Sequence, residues 1–316
     1  MYISIVTPAY RCSESLKELH RRLVIELEKL SSKFEIIMVN DGSPDNDWDV
    51  ICEIAAGDKR VKGINLSRNF GHQIAVTAGM DMAEGDVVII MDADLQDPPE
   101  VIARMIEKYK EGYHVVYAVR KERKNETFFK KTTAKLFYRL LRKMSDIKIP
   151  VDTGDFRLIS KEVNNVLKQM KENNRYIRGL VSWAGFPQTG IEYVRDGRYA
   201  GTTQYTLRKL MKFSLDGLTS FSTKPLEMAT VTGFIMSAAA FVYAAIVFIE
   251  RVFLGAKIPA GWATLTVLIL LVGGIQMIML GIVGEYIGRI YDEAKDRPLY
   301  VVKEIIGDMN TKNIKE

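Results

Sequence analysis

Two aspartates, Asp92 and Asp94, stand two positions apart, directly after the apolar run DVVIIM that begins at Asp86. Because alternate residues of an extended chain face the same side, both carboxylates can hold one cation. Oxygen ligands select hard ions such as Mg²⁺ or Mn²⁺, which bridge phosphate oxygens and leave positions for a substrate. A pair of this kind also occurs in ordinary surface turns. Its place at the end of an apolar strand favours a site for a cation and a phosphorylated ligand.

The segments around this pair predict a parallel sheet that is covered by helices on both faces. Short apolar runs alternate with segments whose apolar residues recur at helical spacing. We expect strands over residues 2–7, 34–39, 61–66 and 86–91, and helices over residues 13–30, 47–56 and 72–83. In such sheets, ligands bind beyond the carboxyl ends of the strands. Pro8-Ala9-Tyr10 and Asn40-Asp41-Gly42 follow two other strands, so we expect them at the same edge as Asp92.

The composition excludes several classes of protein. The chain has 316 residues, of which 47% are hydrophobic and 26% are charged, so disorder and collagen-like repeats are excluded and a sizeable core is possible. The two cysteines are too few for a disulfide framework or a cysteine-rich metal site, and they indicate a reducing compartment. The first ten residues already have the pattern of a strand, and we expect no cleaved export signal.

The sequence becomes much more apolar after residue 225. Residues 228–249 and 262–283 carry no charged side chain. Each stretch would form a helix of about 33 Å, enough to cross a hydrocarbon core of about 30 Å, whereas a pair of buried soluble helices is the alternative. The flanking segments are richer in lysine and arginine than the link between the two stretches. The sequence therefore predicts a multi-pass protein of the cytoplasmic (inner) membrane, with the first domain and both termini in the cytoplasm.

Basic residues concentrate in one part of the chain. The net charge is +5, but residues 120–143 contain ten lysines and arginines and two glutamates, a local charge of +8. Residues 128–144 and 205–221 place apolar side chains at helical spacing among basic ones, which predicts amphipathic helices at a membrane surface or around a lipid phosphate. Nucleic acid is the competing partner for a basic patch, and the apolar stretches downstream argue against it. The candidates for the lipid phosphate are Lys131, Arg198 and Arg208.

Several motifs follow one another in an order that resembles the family 2 glycosyltransferases with a GT-A fold. They are Pro8-Ala9-Tyr10, Asn40-Asp41-Gly42-Ser43, RNFGHQ from Arg68, DADLQDPPE from Asp92, DTGDFRL from Asp152, RYIRG from Arg175, RYAG from Arg198, DGLTSFS from Asp216 and GEYIGRIY from Gly284. The later motifs resemble the branch that glycosylates polyprenyl phosphates, which includes bactoprenol glucosyltransferases and, more distantly, dolichyl-phosphate mannose synthases. The resemblance runs over residues 2–302. It implies an α/β GT-A domain with a Rossmann-like, mostly parallel sheet, followed by amphipathic interfacial helices and a two-helix transmembrane hairpin.

The resemblance also implies roles for individual residues. Asp155 would be the catalytic carboxylate, with Asp94 as a second catalytic residue, and Asp41 would accept a hydrogen bond from the uracil ring. The metal site would hold Mg²⁺ or Mn²⁺ and would comprise Asp92, Asp94 and Gln96. The nucleotide-sugar site would comprise Pro8, Tyr10, Asp41, Asp92, Ala93 and Arg120.

Simpler roles are open for several of these residues. Asp41 and Asp155 could be turn-forming aspartates, and Arg120 could be a solvated charge. We interpret Asp97 as the N-cap of a helix that starts at DPPE, with proline at its first position. His72 follows Gly71 at a predicted helix start, so capping or core packing is favoured over a role as a base.

The reaction that these roles imply is transfer of a hexose from a UDP-sugar to undecaprenyl phosphate, with inversion, for cell-envelope glycans. A monophosphate has a second pKa near 6. The acceptor is therefore mostly dianionic at pH 7 and already nucleophilic. A strong general base is not required, and Asp155 could orient the acceptor or a metal instead. The identity of the sugar is not readable, and glucose is expected because it is commonest in the family.

The predicted domains are a glycosyltransferase domain over 1–202, an interfacial helix over 203–224, a membrane hairpin over 225–284 and a cytoplasmic tail over 285–316. The resemblance suggests a homo-oligomer, with a tetramer as one form. A processive polysaccharide synthase is an alternative function, but the chain has no Gln-x-x-Arg-Trp motif and only two predicted spans. A non-catalytic membrane scaffold is a further alternative, against which the intact DADLQ and DTGDFRL motifs argue.

Overall fold

The computed structural model of the chain describes residues 1–120, 153–194, 224–253 and 261–308. Within these ranges the chain divides into two units. The first unit contains residues 1–120, 153–194 and 297–308, and the second contains residues 224–253 and 261–296. The predicted amphipathic segments at 128–144 and 205–221 lie outside the described residues. So do Lys131, Arg198 and Arg208.

The first unit is built on one mixed sheet. Its strands within the described ranges are β1 (Ile3–Ala9), β2 (Phe34–Asn40), β3 (Val61–Leu66), β4 (Val87–Ile90), β5 (Val115–Arg120), β6 (Thr153–Ser160), β7 (Gln188–Tyr193) and β8 (Val302–Ile306). Their spatial order is β7-β5-β6-β4-β1-β2-β3-β8. Strands β1 to β4 are parallel to one another, and β5 is parallel to β7. Strand β6 is antiparallel to both β4 and β5, and β8 is antiparallel to β3.

Helices cover both faces of this sheet. They are α1 (Ser13–Leu30), α2 (Asp47–Gly57), α3 (His72–Met82), α4 (Ile102–Lys110), α5 (Lys161–Gln169) and α6 (Ile177–Trp183). The leucines of α1, at positions 16, 19, 23 and 27, recur at helical spacing and are fully buried. Burial of each stabilises the fold by about 1.5–3 kcal/mol relative to an exposed side chain. All residues of β1, β2 and β3 are buried, as expected for strands that are covered on both faces.

A strand from the carboxyl-terminal part of the chain belongs to the sheet of the first unit. The sequence predicts a cytoplasmic tail over residues 285–316 and no strand in it; the structure places Val302–Ile306 at the edge of the sheet as β8. The Ser67 N–H donates to the Val301 carbonyl at 2.9 Å, and the Tyr300 hydroxyl donates to Asp81 at 2.9 Å. The chain therefore returns to the first unit after the apolar helices and is bonded there by both backbone and side chains.

In the part of the chain that the structure describes, the second unit contains the helices α7 (Lys224–Phe253) and α8 (Trp262–Ala294). Large apolar side chains on both helices are exposed, for example Phe241 at 78% and Met277 at 70%. Among the described residues, one segment is long and apolar enough to cross a membrane, Leu271–Ala294, with a mean hydropathy of 1.5. The apolar segment of α7, Ala229–Tyr243, is shorter. The two-span topology therefore stays a prediction.

Asp97 has a different role from the predicted helix cap. The short 3₁₀ turn Pro99–Val101 precedes α4, and its N-cap residue is Pro98. Asp97 is fully buried, and its carboxylate accepts a hydrogen bond from the hydroxyl of Tyr193 on β7. The prediction fails because the chain runs extended through Pro98, and the carboxylate turns into the core.

This buried hydrogen bond gives a test of stability. Tyr193→Phe is expected to lower the free energy of unfolding by about 1–3 kcal/mol, because it leaves the buried Asp97 carboxylate without its phenol donor. Thermal or urea unfolding of the detergent-solubilised protein measures the change. Tyr113→Phe removes the phenolic hydroxyl group from a partly buried tyrosine elsewhere in the first unit, and it serves as the control. Equal stability losses in the two variants would contradict the assigned bond.

Candidate active site

The polar motifs meet at one edge of the sheet. Strands β4, β1 and β2 are adjacent and parallel, so Asp92, Tyr10 and Asp41 follow their carboxyl ends on the same side. Strand β6 runs antiparallel to β4, with Arg157 opposite Ile90. The amino end of β6, which carries Asp155, therefore reaches this same edge. The order of the strands thus brings Asp41 and Asp92 to one edge, as the sequence predicts, and brings Asp155 there from a third segment.

Asp155 is held by cationic and amide groups from two helices. Its Oδ1 accepts from Arg178 Nε at 2.8 Å, and its Oδ2 accepts from Gln73 Nε2 at 3.3 Å. The Nε2 atom of His72 lies 3.3 Å from the same Oδ2 atom. Burial alone would raise the pKa of Asp155, but Arg178 and His72 outweigh burial and hold it well below its ordinary value. Asp155 is therefore an ionised carboxylate and a weak base.

Arg157 fixes the backbone at this point of β6. Its side chain is 3% exposed, and it donates to the carbonyl oxygens of Gly154 at 3.0 Å and Asp155 at 3.3 Å. Burial lowers the pKa of the Arg157 guanidinium to about 10. The guanidinium stays charged at pH 7 and adds positive potential under the Asp155 carboxylate.

His72 lies between two carboxylates. As predicted, it starts a helix directly after Gly71. Its Nε2 atom is 3.5 Å from Asp92 Oδ1 as well as 3.3 Å from Asp155 Oδ2. Burial lowers the pKa of His72, but the two carboxylates outweigh burial and raise it to about 9. The charged imidazole of His72 thus lies between Asp155 and the loop after β4 that carries Asp92 (the Asp92 loop). The sequence did not predict this role.

The loop after β4 presents oxygen atoms suited to a divalent cation. Asp92 Oδ1 and Gln96 Oε1 are buried and accept no hydrogen bond from the residues that the structure describes. Asp94 Oδ1 accepts from the Gln96 N–H at 3.1 Å, which closes the loop on itself. Leu95 between them has a φ of +57°, an unfavourable conformation for a leucine. The loop is therefore held in a strained shape that turns Asp92 and Gln96 inward.

The donor set of this loop fits a hard cation. Buried oxygens without donors are stabilised by a cation, and carboxylate and amide oxygens are ligands of Mg²⁺ and Mn²⁺. Burial raises the pKa of Asp92 to about 6, and a bound cation would favour the ionised form instead. Within the described ranges, no group of three or more His, Cys, Asp or Glu side chains is arranged for a metal. The amide of Gln96 is therefore an essential part of the proposed ligand set.

Asp41 holds the neighbouring loop. The carboxylate is buried, and it accepts from the Phe70 N–H at 2.7 Å and from the Gly71 N–H at 3.0 Å. Burial raises the pKa of Asp41 above its ordinary value, and the two N–H donors offset only part of this rise. Asp41 thus connects the end of β2 to the segment that leads into His72. Each carboxylate oxygen has a second lone pair, so a further bond to a uracil ring stays a prediction.

Gly42 packs directly against this loop. Its φ is +59°, and a Cβ atom there would overlap the Arg68 backbone and lie 2.5 Å from the Asn69 nitrogen. Gly42→Ala is therefore expected to lower the free energy of unfolding by about 1–3 kcal/mol and to weaken the predicted binding of UDP by displacing the loop. Gly57→Ala is the control, because a Cβ atom there meets nothing within 4 Å. Calorimetry with UDP measures both effects, and unchanged UDP affinity in Gly42→Ala would contradict the prediction.

Comparison with known proteins decides the family. The family model described as "Glycosyl transferase family 2" matches residues 4–167 of this chain. A second family model, described as "GtrB C-terminal hairpin", matches residues 224–290. The chain belongs to glycosyl transferase family 2. The relative named uncharacterized glycosyltransferase YkcC, from Bacillus subtilis, is 54% identical over 97% of this chain and 95% of its own.

Two further relatives have names that state an activity. The prophage bactoprenol glucosyl transferase homolog of Escherichia coli is 42% identical over 96% of this chain and 99% of its own. The bactoprenol glucosyl transferase of Shigella phage SfII is 41% identical over 96% of this chain and 98% of its own. The protein is thus a glycosyltransferase with a GT-A fold, and the predictions of fold class, family and enzyme are confirmed.

The remaining predicted site residues of the glycosyltransferase have defined places. Pro8 is buried in β1, and Tyr10, just beyond it, is 37% exposed. The Ala93 carbonyl accepts from the Ser15 hydroxyl at 2.6 Å, which ties the Asp92 loop to α1. Arg120 is the last residue of β5. Their roles toward a nucleotide sugar stay predictions.

Sequence reasoning missed the side chains that hold Asp155. Gln73 and Arg178 lie in the motifs RNFGHQ and RYIRG, which by themselves indicate only the family resemblance. The signal that could have found them is the charge balance of the site. A cluster of aspartates that includes a buried Asp155 requires cations nearby.

Proposed function

We propose that the glycosyltransferase transfers a hexose, with glucose as the expected sugar, from a UDP-sugar to a polyprenyl phosphate such as undecaprenyl phosphate. The names of two relatives and the matching C-terminal hairpin support this acceptor. The observation that carries the proposal is the arrangement at the sheet edge. The ionised Asp155 lies beside a loop whose buried oxygens, on Asp92 and Gln96, fit a cation.

The proposed chemistry is one direct displacement with inversion. A phosphate oxygen of the acceptor forms a bond to the anomeric carbon, while the bond from that carbon to the UDP oxygen breaks and UDP leaves with the electron pair. The dianionic acceptor carries no proton that must be removed at neutral pH. Most of the rate acceleration then comes from in-line positioning and from stabilising the charge on UDP.

The chain's own charges suit this reaction. Asp155 is a weak base because Arg178 and His72 hold it ionised, which supports an orienting role rather than proton abstraction. The same two cations, with Arg157 behind them, offset the negative field that would otherwise repel a phosphate dianion. A divalent cation held by Asp92, Asp94 and Gln96 would supply positive charge to the diphosphate of the leaving UDP.

The proposed location is the cytoplasmic face of the membrane. The exposed apolar side chains of α7 and α8 support contact with lipid, since such surfaces are rare on soluble monomers. Two spans with both termini in the cytoplasm would keep the acceptor phosphate and the donor on one side. Lys131, Arg198 and Arg208 stay the proposed contacts to the lipid phosphate, and the homo-oligomer stays a proposal.

The test is a transfer assay with the full-length chain in detergent. Undecaprenyl phosphate, Mg²⁺ or Mn²⁺ and a panel of radiolabelled UDP-sugars are supplied, with EDTA and Asp94→Asn as controls. The expected result is a lipid-linked product from one donor that EDTA and Asp94→Asn abolish. Folded protein that binds UDP but forms no lipid-linked product with any donor would refute the proposal and favour a primer-dependent synthase or a scaffold.

A further inference from the structure

We propose that Gln73 is a positioning residue, whose one amide fixes both the Asp155 carboxylate and the helix turn that carries Arg178. This inference rests on the proposed function, in which Asp155 orients the acceptor. Gln73 is the second residue of α3 and lies next to His72. Gln73 belongs neither to the proposed metal site nor to the proposed nucleotide-sugar site.

The amide of Gln73 makes two hydrogen bonds to segments far along the chain. Its Nε2 donates to Asp155 Oδ2 at 3.3 Å, and its Oε1 accepts from the Ile177 N–H at 3.0 Å. Only this orientation of the amide pairs a donor with the carboxylate and an acceptor with the N–H group. Both contacts together therefore require an amide, because a carboxylate lacks the donor and an apolar side chain lacks both groups.

The second contact replaces a missing helix cap. Ile177 is the first residue of α6, and the N–H groups of a first helical turn have no partner within the helix. The N-cap residue of α6, Tyr176, makes no side-chain capping bond. Gln73 supplies the acceptor from another helix and so fixes where α6 begins.

The residue after Ile177 closes the network. Arg178 donates from Nε to Asp155 Oδ1 at 2.8 Å and from Nη1 to the Thr153 carbonyl at 2.7 Å. Gln73, Asp155, Arg178 and the Ile177 N–H thus form a closed ring across α3, β6 and α6. Because Gln73 sets the start of α6, it acts on both oxygens of Asp155, on one directly and on the other through Arg178.

The ring predicts a particular kinetic signature. A shift of about 1 Å at a reacting group can cost about 100-fold in rate. We expect Gln73→Leu to lower kcat by about 10- to 100-fold, with the KM for the UDP-sugar and the affinity for UDP within about 3-fold of wild type. The KM for the UDP-sugar and the affinity for UDP are expected to change little, because the loops that carry Asp92 and Asp41 keep their own hydrogen bonds.

Gln73→Glu separates positioning from simple capping. An ionised glutamate keeps the acceptor for the Ile177 N–H, but it removes the donor to Asp155 and places a second negative charge beside that carboxylate. If Gln73 only caps α6, Gln73→Glu keeps the wild-type kcat. If it positions Asp155, kcat falls as in Gln73→Leu, although α6 remains capped. Gln169→Glu and Gln169→Leu, at an exposed glutamine at the end of α5, are the matched controls.

A double-mutant cycle of Gln73→Leu and Arg178→Lys tests the ring, with kcat and Tm measured in detergent. We expect the double variant to lose little more than the worse single variant in both quantities, since either change opens the same ring. Additive effects in both, or a wild-type kcat in Gln73→Glu, would overturn the inference. If the wild type transfers no sugar, the proposed function fails, and the Tm cycle alone decides whether the ring exists.

Discussion

Asp155→Asn is expected to lower kcat by about 100- to 1,000-fold while UDP binding is retained. Asparagine keeps the size of the side chain and removes the charge that faces Arg178 and His72. The acceptor phosphate would then meet those cations without the carboxylate that orients them, and could bind in unproductive positions. Single-turnover transfer with saturating donor measures the chemical step apart from product release.

The fold offers a closely matched control for this variant. Asp58 also pairs with an arginine and a histidine, since it accepts from Arg60 Nη2 at 2.8 Å and lies 3.1 Å from His20 Nε2. The same substitution there, Asp58→Asn, removes a carboxylate with the same kinds of partners away from the sheet edge. We expect it to lower stability and leave kcat within about twofold. If Asp155→Asn lowers only stability, as its control does, the orienting role is wrong.

Asp92→Asn is expected to lower the transfer rate by about 1,000-fold, equivalent to about 4 kcal/mol of transition-state stabilisation. The reason is that Asp92 Oδ1 is buried and accepts no hydrogen bond from the described residues, with the His72 Nε2 atom at 3.5 Å, so a cation would stabilise it further. An amide oxygen carries no net charge and binds a divalent cation more weakly. The rate measured against Mn²⁺ concentration should show a raised half-maximal concentration as well as a lower plateau.

The Tm of the Asp92→Asn variant in EDTA shows whether Asp92 is a metal ligand or a carboxylate that stabilises the fold. Burial raises the pKa of Asp92 to about 6; the charge of His72 lowers it, but burial together with Asp97, Asp155 and Asp94 outweighs His72, so the charge of Asp92 is unfavourable in the metal-free fold. Asp92→Asn should therefore unfold in EDTA at a Tm no lower than that of the wild type. Asp86→Asn, at the opposite end of β4, is the control for rate. A large loss of Tm in EDTA would indicate that Asp92 is structural.

The residue pattern alone was sufficient for the first four strands of the first unit and for the helices between them. Apolar strands at 2–7 and 34–39 correspond to β1 and β2, and the leucine spacing of α1 matches its buried face. These elements are predictable because both faces of each strand and one stripe of the helix are buried, which leaves a strong local signal. Strand β8 was not predictable, because Lys303 and Glu304 at an edge strand interrupt the apolar pattern.

The sequence by itself determined the family, the fold class and the carboxylates after the strands, because motif order and strand ends are local properties of the chain. Only the tertiary structure decided what surrounds Asp155. Asp155 and Ile177 lie 82 and 104 positions after Gln73 in the sequence. Their contacts with Gln73 therefore depend on how α3 and α6 pack against β6. Side-chain partners of that kind follow from the docking of helices on the sheet, which no short stretch of sequence encodes.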